Sequence, residues 1–215
     1  MRHFILRVFD MLAGLLIFAL GIVMTIRANI GYSPWDVFHA GLAGKIGLSL
    51  GVSSILVGFV ILIIVSLFKE KLGFGTICNI VFIGLFIDLI ILLDFIPLAA
   101  NLVFGTIMLV TGLFIIAIGS CFYIRSGFGA GPRDNLMVVM TRKTRLPVGL
   151  CRGIIEFLVT IIGWILGGMV GFGTILSVIA ISFCIQIVFK LFKFDVTLVK
   201  HETLKETFAA IKKLY

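Results

Sequence analysis

The residues best placed to do chemistry belong to a pattern that the chain writes twice: GYSPWD at 31–36 and GAGPRD at 129–134. Each copy reads Gly-x-x-Pro-x-Asp, and each follows an arginine, Arg27 or Arg125, placed four residues before its glycine. Proline suits the first position of a helix, and an acid in the first turn complements the positive end of the helix dipole. Pro34 and Pro132 therefore open short helices over about 34–44 and 132–142, with Asp36 and Asp134 at the third position. Ser33 caps the first copy in a capping-box-like start, and Gly131 replaces it in the second. Two readings stay open. In one, the motif only starts a helix, and Arg27 or Arg125 neutralises the nearby acid. In the other, the two helix starts (Gly31 to Pro34 and Gly129 to Pro132) dip inward and present N–H groups to an anionic substrate.

Further polar residues fall inside apolar runs, where they are costly and often functional. Asp88 follows Thr76 by 12 residues, and Gln186 follows Thr174 by 12. At ~1.5 Å per residue, both lie about 18 Å into a ~30 Å hydrocarbon core, near the midplane. Asp88 is a candidate proton or cation site, or else a hydrogen-bond partner of Gln186. Glu156 is a further candidate site residue, or else, with Arg152 one turn before it, half of an intrahelical pair. Arg7 and Asp10 invite the same account, and His39 reads as an interfacial residue. Cys78, Cys121, Cys151 and Cys184 are singletons without metal-ligand spacing. No nucleotide loop and no nucleophile elbow is present. The expectation is a protein that is not an enzyme and needs no cofactor and no metal.

The elements that must hold these residues are membrane helices. The 215-residue chain is 61% hydrophobic and 13% charged, whereas soluble domains run near ~45–50% and ~25%. From Phe95 to Ile124, thirty residues pass without a charge, and roughly 20 apolar residues cross a bilayer. Six spans are expected, at about 8–28, 50–68, 75–94, 98–124, 149–168 and 173–191. GFGT at 73–76 turns the chain into the third span, with Thr76 as its cap. No small-residue cleavage site follows the first run, so it should remain as a span. The charged tail after Phe194 suits a short amphipathic helix on the cytoplasmic surface, with a frayed tail as the alternative. A cytoplasmic N-terminus puts sixteen Lys and Arg inside and only Arg27 and Lys45 outside, a strong positive-inside bias. The net charge of +8 therefore needs the anionic inner leaflet as its partner and no nucleic acid.

The two motif copies belong to a longer duplication. Set against itself at an offset of 98, the chain matches at 24 of the 83 positions pairing 11–93 with 109–191. Composition alone would supply roughly a third of that. The matches include Gly14 and Gly21 with Gly112 and Gly119, Arg27 with Arg125, and GFGTI at 73–77 with GFGTI at 171–175. Glycines seven apart on a helix let neighbours approach closely. The fold expected is all-α: six transmembrane helices forming two three-span repeats, 1–97 and 98–194, with a tail at 195–215. Three spans is an odd number, so the copies enter the membrane from opposite sides and form an inverted repeat. Arg27 and Asp36 then lie toward the outer face, and Arg125 and Asp134 toward the inner.

The stretch from Gly14 to Gly58, with Pro34-Trp35-Asp36-Val37, resembles the bacterial YczE/YyaS/YitT-type integral membrane proteins, and the likeness continues through GFGT and GAGPRD. The resemblance implies a multi-pass protein of the bacterial cytoplasmic membrane without assigned activity, and it brings no catalytic residues. Arg133 stands where the first copy has Trp35, so the halves differ in chemistry. The leading expectation is a small-solute transporter with its site at the repeat interface, taking a small molecule or an ion. The alternative is a non-transporting accessory protein that binds a membrane partner through Arg142, Lys143 and Arg145. A homo-oligomer is left open.

Overall fold

A computed structural model describes residues 2–70, 72–195, 198–199 and 201–212. Lys71, Lys200 and Lys213, counted above among the inside cations, lie outside the described residues. Among the described residues the chain forms nine helices: α1 (Arg2–Arg27), α2 (Pro34–Ile46), α3 (Leu50–Leu67), α4 (Phe74–Leu93), α5 (Leu102–Arg125), α6 (Pro132–Thr144), α7 (Val148–Ile165), α8 (Phe172–Leu191) and α9 (Leu204–Lys212). Six of them, α1, α3, α4, α5, α7 and α8, are long and apolar enough to cross a membrane. The boundaries of α2, α3 and α4 recur 98 residues later as those of α6, α7 and α8.

The centre is the crossing of α1 with α5. A methyl group on Gly14 would lie 2.9 Å from the Gly119 carbonyl oxygen, and one on Gly21 would lie 2.7 Å from that of Gly112. As the number rises along α1 it falls along α5, so the two helices run antiparallel. Their contact is close because no side chain separates the backbones. Leu15, Ala19, Leu109, Leu113 and Ala117 fill the rest of this seam and are wholly buried or nearly so. α4 packs on α1, and α8 packs on α5. α2 lies against α7 and α3, and α6 against α3 and α7.

Each Gly-x-x-Pro-x-Asp loop is locked by the GFGT turn of the other half. The Gly173 N–H donates to the Ile30 carbonyl at 2.7 Å, and the Gly75 N–H donates to the Phe128 carbonyl at 2.7 Å. Gly31 and Gly129 adopt φ of +113° and +126°, which side chains resist. A Cβ on Gly31 would also meet Gly171 N at 2.6 Å, and one on Gly129 would meet the Gly73 Cα at 2.8 Å. The glycines and the turns recur together because each completes the other.

Some local expectations change. α4 is capped by Gly73, while the Thr76 hydroxyl donates to the Ala130 carbonyl at 2.7 Å and so holds the second motif loop. α5 begins later than expected because the Asn101 side chain accepts from the Phe104 N–H at 2.9 Å and sets the start. The tail helix forms, but the chain leading into it is held by protein. The Glu202 N–H donates to the Gly127 carbonyl, the Leu204 N–H to that of Leu72, and Arg7 pairs with Glu202 at 2.6 Å.

Candidate functional site

The first turns of α2 and α6 open onto one cavity of about 400 Å³, also lined by α1, α3, α4, α5, α7 and α8. Asp36 and Asp134, expected toward opposite faces, therefore share one space. Pro34 and Pro132 stand at the first helical positions, as the motif requires. Ser33 is the N-cap of α2 by position, yet its hydroxyl donates to the Asp36 carboxylate instead of accepting from the backbone. The capping box is thus replaced by a side-chain pair that keeps Asp36 aimed into the site.

His39 completes this first cluster. It is 2% exposed, as is Asp36, and its Nδ1 lies 3.8 Å from an Asp36 oxygen. The interfacial position expected for it is wrong, because a histidine one turn after an acid finds its partner in the core. Both residues lie outside the six membrane-spanning helices. Burial alone would raise the Asp36 carboxyl, but His39, Arg133 and Ser33 hold it below the ordinary carboxylate range. Burial lowers the His39 imidazole despite the neighbouring acid.

The second cluster is built differently. The Tyr123 hydroxyl donates to Asp134 at 3.3 Å. Burial raises the Asp134 carboxyl, against the opposing pull of Arg152, Tyr123, Arg133 and the Gly131 backbone. Between the clusters stands Arg133, whose guanidinium lies over the Trp35 ring, 4.9 Å from its centre. Trp35 and Arg133, which occupy matching positions in the two motif copies, therefore touch each other across the site. Arg152 pairs with Glu156 at 2.9 Å, as the spacing indicated, and both line the cavity. Asn79 and His201 complete its polar wall.

Other candidates serve elsewhere. Asp88 accepts from the Ser49 hydroxyl at 2.5 Å and from the Gly51 N–H at 2.8 Å. It anchors the first turn of α3, where N–H groups and the helix dipole favour a carboxylate. Gln186 is exposed on α8, and neither residue lines the cavity. Depth along one helix located Asp88 but could not reveal that a helix start lies beside it. Arg27 pairs with Asp94, and Arg125 with Asp10 at 3.1 Å. Neither arginine neutralises its motif acid, and Arg7 turns to Glu202 rather than to Asp10. Among the described residues, no three His, Cys, Asp or Glu side chains converge to hold a metal ion.

The sequence reading missed Tyr123, Trp35, Arg133 and His201 as site residues. For Trp35 and Arg133 a signal existed, since an aromatic ring and a cation stand at one matching position between the shared Pro and Asp. Tyr123 and His201 carry none, because tertiary packing alone brings them in.

Comparison with known proteins agrees with this architecture. Residues 5–190 match a family of unknown function, DUF6198. The chain is 40% identical over 170 residues to the uncharacterized membrane protein YczE of Bacillus subtilis, covering 78% of each chain. It is 32% identical over 180 residues to an uncharacterized protein of Haemophilus influenzae, covering 80% of this chain and 81% of that one. It is 31% identical over 169 residues to the uncharacterized protein YyaS of Bacillus subtilis, covering 77% and 83%. No solved structure matches the chain. A six-span helical membrane protein with paired Gly-x-x-Pro-x-Asp motifs around a central cavity, the chain belongs to the DUF6198 family.

Proposed function

We propose that the protein is a small-solute transporter of the bacterial cytoplasmic membrane, built from two inverted three-span repeats with its site where they meet. The observation that carries the proposal is the central cavity, onto which both motif helices bring charged groups. Charge is expensive inside a bilayer and is kept there mainly for function. Supporting the inverted repeat are the 98-residue recurrence of helix boundaries and the antiparallel crossing of α1 and α5. Three spans per half reverse the second copy. The positive-inside count supports cytoplasmic termini.

Alternating access follows from unequal seams. α3 packs closely on α4, while α7 packs on α2 and α6 and makes no comparable contact with α8. If the halves exchange these arrangements, α7 closes on α8 as α3 leaves α4, and the cavity changes the side it faces. No enzymatic step is part of this proposal. The accessory-protein reading loses ground, because two of the three residues of its basic cluster have partners within the chain. Arg142 pairs with Glu70 at 2.5 Å, and the Lys143 ammonium lies over the Phe68 ring.

The test has two arms. Gly149→Cys with Gln186→Cys, in a background without the four native cysteines, should cross-link and stop flux in proteoliposomes of any metabolite that raises the melting temperature of the pure protein. A pair that never cross-links, together with no stabilising metabolite crossing the membrane, would end the transporter reading. Reporter fusions near residues 45 and 143 should report opposite compartments. The same compartment for both would end the inverted repeat.

A further inference from the structure

The charges in the cavity do not balance. Asp36, Asp134 and Glu156 supply three carboxylates, and Arg133 and Arg152 supply two cations. Burial lowers both His39 and His201, which favours their neutral imidazoles. Partners are also shared unequally. Glu156 has Arg152, and Asp36 has Ser33 and His39. Asp134 has the Tyr123 hydroxyl, and among the described residues no cation stands at ion-pair distance from it.

A free anion is poorly served here. Each helix N-terminus that might receive one already carries its own acid in the first turn, Asp36 on α2 and Asp134 on α6. A cation is well served. Arg133 already occupies the Trp35 face, so an arriving cation would be held by the Asp134 carboxylate and the apolar lining. Much of the remaining lining is apolar, with Ile22, Ile83, Leu113, Ile181 and Ile185 among it. α7 and α8 both line the cavity but make little contact with each other.

We propose that the cavity binds a small organic cation with an apolar body, beside Asp134 and against the apolar lining, in exchange for one proton. This deepens the transporter reading and rests on it. With the site empty, Asp134 carries the proton and the cavity is neutral. When the cation arrives, the carboxyl releases that proton to solvent and the arriving charge takes its place, so the net charge stays at zero throughout. The exchange avoids the cost of an unbalanced buried charge. The groups that face Asp134 and set its proton affinity are Tyr123 from α5, Arg133 from its own helix, Arg152 and Glu156 from α7, His201 from the tail, and Asp36 and His39 from α2. Asn79 of α4 adds a neutral amide.

The experiment uses the purified full-length protein in detergent, at about pH 6 in weak buffer, well above the ordinary carboxylate range. Benzyltrimethylammonium is the probe, and benzoate and phenylalanine are the comparators. Melting temperature and proton release at a glass electrode are both read. The cation should raise the melting temperature more than either comparator and release about one proton per cation bound. Asp134→Asn should abolish the release and weaken binding about tenfold, while Asp10→Asn, outside the cavity, behaves as the wild type. Stronger stabilisation by benzoate or phenylalanine, or cation binding by the wild type without proton release, overturns the proposal whether or not the variant folds. Benzoate flux in proteoliposomes would leave the transporter standing and remove only the cation. Cation binding with release but no flux would keep the site and remove the transporter.

Discussion

α3 and α7 are counterparts at an offset of 98, yet they sit in different surroundings. A methyl group on Gly51, in the first turn of α3, would lie 2.0 Å from the Gly84 carbonyl oxygen of α4. Around Gly149, its counterpart in α7, nothing lies within 4 Å, and the same holds for Gly153 one turn on. Of the apolar window of α3, 39% is buried within the protein, against 11% for α7. The anchoring chemistry differs likewise. Asp88 grips the first turn of α3, whereas Gln186, at the matching place on α8, is exposed. The same backbone plan thus holds one seam shut and leaves the other open. This inequality is what the proposed exchange between two states rests on.

The strongest attack on this contrast is Gly51→Val. It drives side-chain atoms into α4 backbone that cannot move aside, and should cost about 3 kcal/mol or more, read as a fall in the denaturation midpoint in micelles. Gly149→Leu, by contrast, should leave the midpoint within about 0.5 kcal/mol but stop turnover, because the bulk would block closure of α7 on α8. Equal destabilisation by the two would erase the difference between seams. Next comes the anchor. Asp88→Ala removes two hydrogen bonds and a charge at a helix start, and should cost about 2 kcal/mol. Gln186→Ala should be nearly neutral by the same measurement.

The two motif acids offer a third contrast, in pH. Asp134 is raised in the fold, so its contribution to stability is full below the unfolded value of about 4 and fades as pH rises through the folded value. Asp36 is lowered, so its contribution is full above about 4 and is lost as pH falls through its folded value. Thermal melts across pH should therefore lose a downward slope in Asp134→Asn and lose an acid-side decline in Asp36→Asn. Slopes of the same sign would mean that the copies are electrostatically alike. The smallest effect belongs to Arg27→Gln. Its partner Asp94 is largely exposed, and such pairs contribute about 0–1 kcal/mol.

The spans and their turns could be read residue by residue because local rules govern them. Pro34 and Pro132 start helices wherever they are placed, and an uncharged run of thirty residues must leave water. The close glycines of α1 and α5 were also readable, since small residues in a membrane helix mark an approach. The site was readable only in part. Asp36, Asp134 and Glu156 were named from the sequence, and the structure gathers them at one cavity. Asp88 and Gln186 were named on depth alone and lie elsewhere, because depth does not say which element stands alongside. His39 looked interfacial beside a loop, yet burial against Asp36 decided otherwise. Arg27 and Arg125 were matched to the acids nearest in sequence, but an arginine side chain reaches across to whichever helix end lies closest.

By itself, the order of residues determined six apolar helices, the duplicated plan and the two helix-starting motifs, since each depends on neighbours within a few positions or on an internal match. Only the packed chain decided that Arg133 rests on Trp35, that Tyr123 reaches Asp134, and that α7 stands away from α8. Those facts depend on which helices share a surface. In a membrane, where every apolar face can be satisfied equally by lipid, hydrophobicity does not select the partner. Close backbone fit and buried polar contacts do.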